Sequence, residues 1–192
     1  MLKSLANFLL FQCCWFTCVI GAGDGRWEYG AVAVILFTII QFLFLSPKQF
    51  GSDIRLISVA LILGIIADGF LLKSQWIQYA AGFENGSEHS IASVATSFVP
   101  PIWILSLWIA FALTVNHSMS WSKRLWQGNR KWVVIMLGAI FGPLAFLGGE
   151  SFGAVVLQEK VNSLAALAVI WGMSFPLLVY LAIRFENQHR HA

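Results

Sequence analysis

The chain has 192 residues, 58% of them hydrophobic and 11% charged, and carries a net charge of +3 with a mean hydropathy of +0.76. Soluble domains carry about 25% charged residues, so this chain cannot coat a water-facing surface. The apolar content and the three cysteines exclude disordered, collagen-like and disulfide-scaffold classes. The basic residues are few and scattered between apolar runs, which argues against nucleic-acid binding. What remains is a single polytopic membrane domain spanning residues 1–192.

A helix needs about 20 apolar residues to cross about 30 Å of hydrocarbon. Six stretches satisfy this: Leu5–Ala22, Trp27–Leu45, Ile54–Lys73, Pro101–Trp121, Trp132–Gly149 and Val161–Arg184. None alternates apolar and polar residues as barrel strands do, so the expected fold is an all-α transmembrane bundle of six spans.

The first span holds Cys13, Cys14 and Cys18. No histidine or acid accompanies them at metal-site spacing, so they read as packing residues. Ile20-Gly21-Ala22 is a poor cleavage site, and the span is expected to be retained. Gln41 is the polar residue of the second span. In the third, Asp68 is the one acid well inside a span, about 7–8 Å from its outer end at 1.5 Å per residue. It is either a proton carrier or ligand for a cationic headgroup, or a carboxyl that accepts bonds from a neighbouring helix or reaches the water a turn and a half away.

The loop Ser74–Val99 carries Glu84, Glu88, His89 and the sequon-like Asn85-Gly86-Ser87. Pro100-Pro101 suits the start of the fourth span. Along that span Ser106, Ala110, Leu113 and His117 form one stripe, with Trp103 near its start. Asn116-His117-Ser118 closes the span, and His117 could act as a general acid or base or simply bond a phosphate or carbonyl. In the fifth span Gly138, Gly142, Ala145 and Gly149 form a small-residue stripe for close helix packing. Pro143 there and Pro176 in the last span should kink their helices.

Nine basic residues fall on the side of both termini: Lys3, Lys48, Arg55, Lys123, Arg124, Arg130, Lys131, Arg184 and Arg190. Only Arg26, Lys73 and Lys160 fall opposite, so both termini are expected in the cytoplasm. Asp68 and His117 then lie at levels roughly 15 Å apart, which predicts separate sites. The inner group is Asn116, His117, Gln41 and Gln12; the outer is Asp68, Ser106, Trp103 and Glu150. No phosphate loop, zinc motif or nucleophile elbow occurs, so no cofactor or metal is expected.

The segment Pro101-x-Trp103…Leu107-Trp108-x-x-Phe111-x-x-Thr114-x-Asn116-His117-Ser118-x-x-Trp121 resembles a family of bacterial inner-membrane proteins, domain of unknown function 2878. Asn7-Phe8, Gly64…Asp68 and Gly142-Pro143-Leu144-Ala145-Phe146-x-x-Gly149…Gly153-Ala154 extend the resemblance over nearly the whole chain. The family usually has Tyr where this chain has Phe146. It carries no assigned activity, but its members are encoded near enzymes that modify fatty acyl chains. The resemblance therefore implies a part in membrane-lipid or fatty-acyl modification, with membrane lipids and those enzymes as partners. A scaffold without chemistry and a small transporter or flippase-like carrier are the alternatives.

Overall fold

The computed structural model describes residues 2–45, 47–80 and 98–190. Within them the helices are α1 (Leu2–Gly23), α2 (Glu28–Ile40), α3 (Phe50–Lys73), α4 (Ile102–His117), α5 (Ser120–Gln127), α6 (Lys131–Ser151) and α7 (Lys160–Arg190). The expected sequon and the acids Glu84 and Glu88 lie outside the described residues. The fold is all-α with one small ribbon. Strands β1 (Ile77–Tyr79) and β2 (Val155–Leu157) pair antiparallel, with Gln78 opposite Val156.

Five helices are long and apolar enough to cross a membrane, or six if α4 and α5 count as one bent span. Here the structure corrects the sequence reading. The fourth span does not run straight to Trp121; α4 stops at His117 and the chain turns by 62° into α5. The cause is local. Carbonyls in the last turn of a helix lack intrahelical partners, and Lys123 on α5 donates to both the carbonyl and the side-chain Oδ1 of Asn116. That bond pulls α5 back across the end of α4.

The second span also changes character before its end. α2 continues as a π-helical turn over Gln41–Leu45, followed by a 3-10 turn over Pro47–Gln49. Proline offers no N–H and disfavours helix at the residue before it, so regular α geometry cannot continue across Pro47. Lys3 takes up the loosened end by donating to the carbonyls of Leu45 (3.0 Å) and Phe44 (3.5 Å).

α6 and α7 pack with little between them. A Cβ added at Gly142 would lie 2.2 Å from the Trp171 ring, and one at Gly138 would lie 2.3 Å from the Trp171 carbonyl. The small-residue stripe thus accommodates one large aromatic on α7. Trp171 in turn stacks on Trp108, with ring centroids 4.9 Å apart and planes 9° apart. On the far side of Trp108, Gly64 of α3 leaves the room that a methyl group would fill. α6 continues through Pro143 and α7 through Pro176. Outward-facing Leu43, Phe44, Ile62, Val169 and Met173 are more than half exposed, the arrangement expected of a bundle whose surroundings are apolar.

Both termini reach one end of the bundle. There Lys3 contacts the end of the π-helical turn, and Arg55 donates to Gln188. The opposite end is closed by the β-ribbon, whose flanks bond Gln158 N and Ser163 Oγ to the Trp76 carbonyl.

Candidate functional site: two buried polar centres on one helix

α3 carries a buried carboxylate near each end, Asp53 in its first turn and Asp68 near its last. Fifteen residues separate them, about 22 Å along the axis at 1.5 Å per residue. They organise different neighbourhoods with no partner in common among the described contacts.

Asp68 is 2% exposed. Tyr79 donates its hydroxyl to Asp68 Oδ1 at 2.6 Å, and Trp108 donates its indole N–H to Oδ2 at 2.7 Å. Each oxygen thus has a donor from a different element, β1 and α4. The residues expected around it make their own bonds to other groups. Trp103 is fully buried, packs edge-on against Tyr79, and donates to the Ala80 carbonyl. Ser106 bonds back to the Ile102 carbonyl of its own helix. Glu150 pairs with Lys160 at 2.9 Å and accepts from Leu157 N. The expected outer cluster is therefore corrected: Tyr79 and Trp108 hold Asp68, and Ser106, Trp103 and Glu150 do not. The sequence placed Tyr79 in a loop; β1 brings its phenol back over α3. Burial and the neighbouring Asp68 charge push the Tyr79 phenol well above its ordinary pKa.

Asp53 was placed one residue outside its span by hydropathy, yet it is 1% exposed. His117 Nε2 lies 3.0 Å from both of its oxygens. Asn116 Nδ2 donates to Asp53 Oδ1 and to Ser52 Oγ. Lys123 Nζ donates to Asn116 Oδ1 at 2.7 Å and pairs with Glu186 at 3.2 Å. A continuous chain thus runs Glu186–Lys123–Asn116–Asp53–His117 and joins α7, α5, α4 and α3. Helix termini favour this arrangement. Asp53 sits at the positive N-terminal end of α3, and His117 sits at the negative C-terminal end of α4.

In a neutral His117 the nitrogen facing a carboxylate carries the proton, so Asp53 fixes the tautomer and makes Nδ1 the basic nitrogen. A carboxylate that orients an imidazole in this way is a recurring acid–base arrangement. Asn116 cannot do that chemistry itself; it holds Asp53 and Lys123 in place. Its amide is engaged on both sides.

Gln41, the residue that opens the π-helical turn, is fully buried and accepts a 2.9 Å bond from Asn7 Nδ2. The amide facing it is Asn7, not Gln12, which is only partly buried. Asn7 Oδ1 and Gln41 Nε2 have no hydrogen-bond partner. Leaving a buried polar group unpaired costs about 1–3 kcal/mol, so a partner for either atom, ordered water included, would stabilise the pair. π-helical turns of this kind recur at functional sites.

A cleft of about 250 Å³ at this end is lined by Lys3, Gln41, Asn116, His117, Lys123 and Glu186, among others. His117 of the acid–base pair and Gln41 of the amide pair both line it, while Asp53 and Asn7 sit behind them. A larger open groove of about 710 Å³ runs beside α1 at the opposite end, past Phe16, Ile20, Arg26 and Tyr29. Neither carboxylate centre lines it. The expected packing residues Gly138 and Gly142 belong to the α6–α7 contact, one stacked tryptophan pair from Asp68 through Trp171 and Trp108, and Pro143 lies within α6. Among the described residues, no three His, Cys, Asp or Glu side chains gather closely enough to hold a metal ion.

A bundle of long apolar helices with buried polar centres is the architecture of a multi-pass membrane protein. Residues 4–177 match the model of the family described as "Protein of unknown function (DUF2878)", and the chain belongs to that family. No curated protein matches it, and no solved structure does.

Proposed function

We propose that the protein lies in the bacterial inner membrane with its basic end in the cytoplasm, and that the Asp53–His117 pair serves acid–base chemistry on membrane lipid, either directly or alongside fatty-acyl-modifying enzymes. One observation carries this reading: a carboxylate-held imidazole lining a cleft at the end of an apolar bundle. That end corresponds to a leaflet boundary, where headgroups and the first acyl carbons lie. His117 would take and return the proton. Asp53 would orient it, and Asn116 and Lys123 would hold Asp53.

The test is whole-cell lipid mass spectrometry of a deletion strain complemented with wild type, His117→Ala or Asp53→Asn. A general acid–base group contributes about 10²–10⁴-fold to a rate. A lipid species that vanishes on deletion should therefore return with wild type and stay below a hundredth of its level with His117→Ala. Equal return with every version makes the pair structural, and an unchanged lipid profile removes the lipid reading.

A scaffold role is the second reading, and the same chain of bonds supports it. Glu186, Lys123, Asn116, Asp53 and His117 brace four helices at one end. A carrier built on Asp68 has less support, since cargo would have to displace both Tyr79 and Trp108.

A further inference from the structure

α7 is longer than the hydrocarbon is thick, and its far end carries a cluster that the cleft does not use. From Lys160, where the helix begins, to Tyr180 is about 30 Å at 1.5 Å per residue, the thickness of the hydrocarbon. Tyr180 therefore lies at a leaflet boundary. Its ring meets that of Trp126 on α5, with centroids 6.3 Å apart. A cation lies over each ring: Lys131 Nζ is 5.3 Å from the Trp126 centroid, and Arg184 Cζ is 5.4 Å from that of Tyr180. Rings with a polar edge prefer the boundary between hydrocarbon and headgroups, and cation–π contact holds a charge there without neutralising it. None of these four residues lines the cleft.

Both cations keep donors to spare. Arg184 gives its Nε–H to the Tyr180 hydroxyl at 2.9 Å, and its two Nη groups have no partner among the described residues. The Lys131 ammonium has neither a hydrogen bond nor an ion pair among them. The two acidic side chains at this end are already engaged, Asp53 by His117 and Asn116 and Glu186 by Lys123. The free edge of a guanidinium matches phosphate oxygens. A headgroup ending in an ammonium would add a third cation with no carboxylate to receive it, so the charges select an anionic head.

The same face of α7 continues as an apolar track. Val169, Met173, Leu177, Tyr180 and Arg184 recur at spacings of 4, 4, 3 and 4, which makes one stripe, and all five are exposed. From Val169 to Tyr180 is about 16 Å, one leaflet's share of the hydrocarbon. Charge, amphipathic ring and apolar run thus follow one another in the order of a phospholipid's own head, glycerol and acyl chain.

We infer that this face of α7 binds one anionic phospholipid. The phosphate meets the free edge of Arg184, Lys131 adds its charge across the Trp126–Tyr180 ring pair, and an acyl chain lies along Leu177, Met173 and Val169. Neither His117 nor Asp53 takes part, so the inference does not depend on the acid–base reading.

Native mass spectrometry of the purified full chain in detergent tests it, with dimyristoyl phosphatidylglycerol, dimyristoyl phosphatidylcholine and glycerol 3-phosphate as probes. Phosphatidylglycerol should bind at least about fivefold more tightly than phosphatidylcholine, the effect of one favourable charge at a membrane surface. Arg184→Gln should lower its affinity about fivefold, and Lys131→Gln by less. Lys48→Gln, which removes an exposed cation from the turn after α2, should change it less than about twofold. A second measurement needs no variant: phosphatidylglycerol with a diazirine in its acyl chain, irradiated with wild-type protein, should label α7 between Val169 and Tyr180. Equal binding of the two lipids would overturn the inference. A loss with Lys48→Gln as large as with Arg184→Gln would replace the site by a general basic surface. Labelling spread evenly over the outer faces of α1 and α2 would reduce it to ordinary lipid contact. Displacement of the lipid by glycerol 3-phosphate at matching affinity would refute it in favour of a soluble phosphate.

Discussion

Replacing Asp68 separates a structural carboxylate from a working one. Its two oxygens accept from Tyr79 at 2.6 Å and from Trp108 at 2.7 Å, and the side chain is almost wholly buried. In Asp68→Leu both donors lose their acceptor in an apolar interior. An unsatisfied buried group costs about 1–3 kcal/mol, so the two together cost about 2–6 kcal/mol. At roughly 2–4 °C per kcal/mol for a domain of 150–250 residues, Tm should fall by about 4–24 °C. Asp68→Asn behaves differently. The indole N–H can only donate, so it takes the amide oxygen; the phenol can also accept, so it turns its oxygen toward the amide NH₂. Both contacts survive in neutral form, and the loss should stay below about 2 kcal/mol. Thermal unfolding of the purified protein in one detergent, read by intrinsic fluorescence, orders the variants. Wild type, Asp68→Asn, then Asp68→Leu well below is the expected sequence. An Asp68→Leu protein as stable as wild type would refute the reasoning, because the carboxylate would then not be held by Tyr79 and Trp108 at all.

The α6–α7 contact makes a second prediction. Gly142→Leu drives a side chain into the Trp171 ring, 2.2 Å from the new Cβ, and overpacking should destabilise the protein by about 1–3 kcal/mol. Gly148→Ala, which meets only the far edge of Trp15 at 3.1 Å, should change the same unfolding midpoint by less than half as much. Equal effects would show that α6 and α7 do not meet along this stripe. For orientation, green fluorescent protein fused after Ala192 should fluoresce and alkaline phosphatase fused there should be inactive; the reverse pattern would put the basic end outside the cytoplasm.

Much of the helical layout was legible because apolar length is a local property. The runs beginning at Leu5, Trp27 and Trp132 coincide with α1, the second helical segment and α6 to within a few residues at each end. The small-residue stripe in the fifth span was readable in the same way, but its partner was not. Nothing local says that Trp171 fills the space over Gly142. The ribbon was missed because strands of three residues carry almost no periodicity, and with it went Tyr79 as the group that holds Asp68.

The inner centre divides similarly. Asn116 and His117 stood out as a polar break at the end of an apolar run. Asp53 did not, because a hydropathy boundary drawn at Ile54 assigns the acid to water. Its burial depends on α4 arriving with His117 and Asn116 in hand, a contact between residues more than sixty positions apart. The choice of Gln12 rather than Asn7 failed on rotation. Five residues at about 100° each leave the two on nearly opposite faces of α1, and only the packing of α1 against its neighbours decides which face turns inward.

The sequence by itself determined that this chain is an apolar bundle of helices, where its long segments run, and which polar residues are too costly to be incidental. Those follow from composition and local length, since the cost of burying a residue depends on its own chemistry. The tertiary structure alone decided which charges meet, that α4 turns where Lys123 reaches Asn116, and that Asp53 rather than Asp68 faces His117. Pairing energies depend on distances between helices, and those are set by how side chains interlock across the bundle.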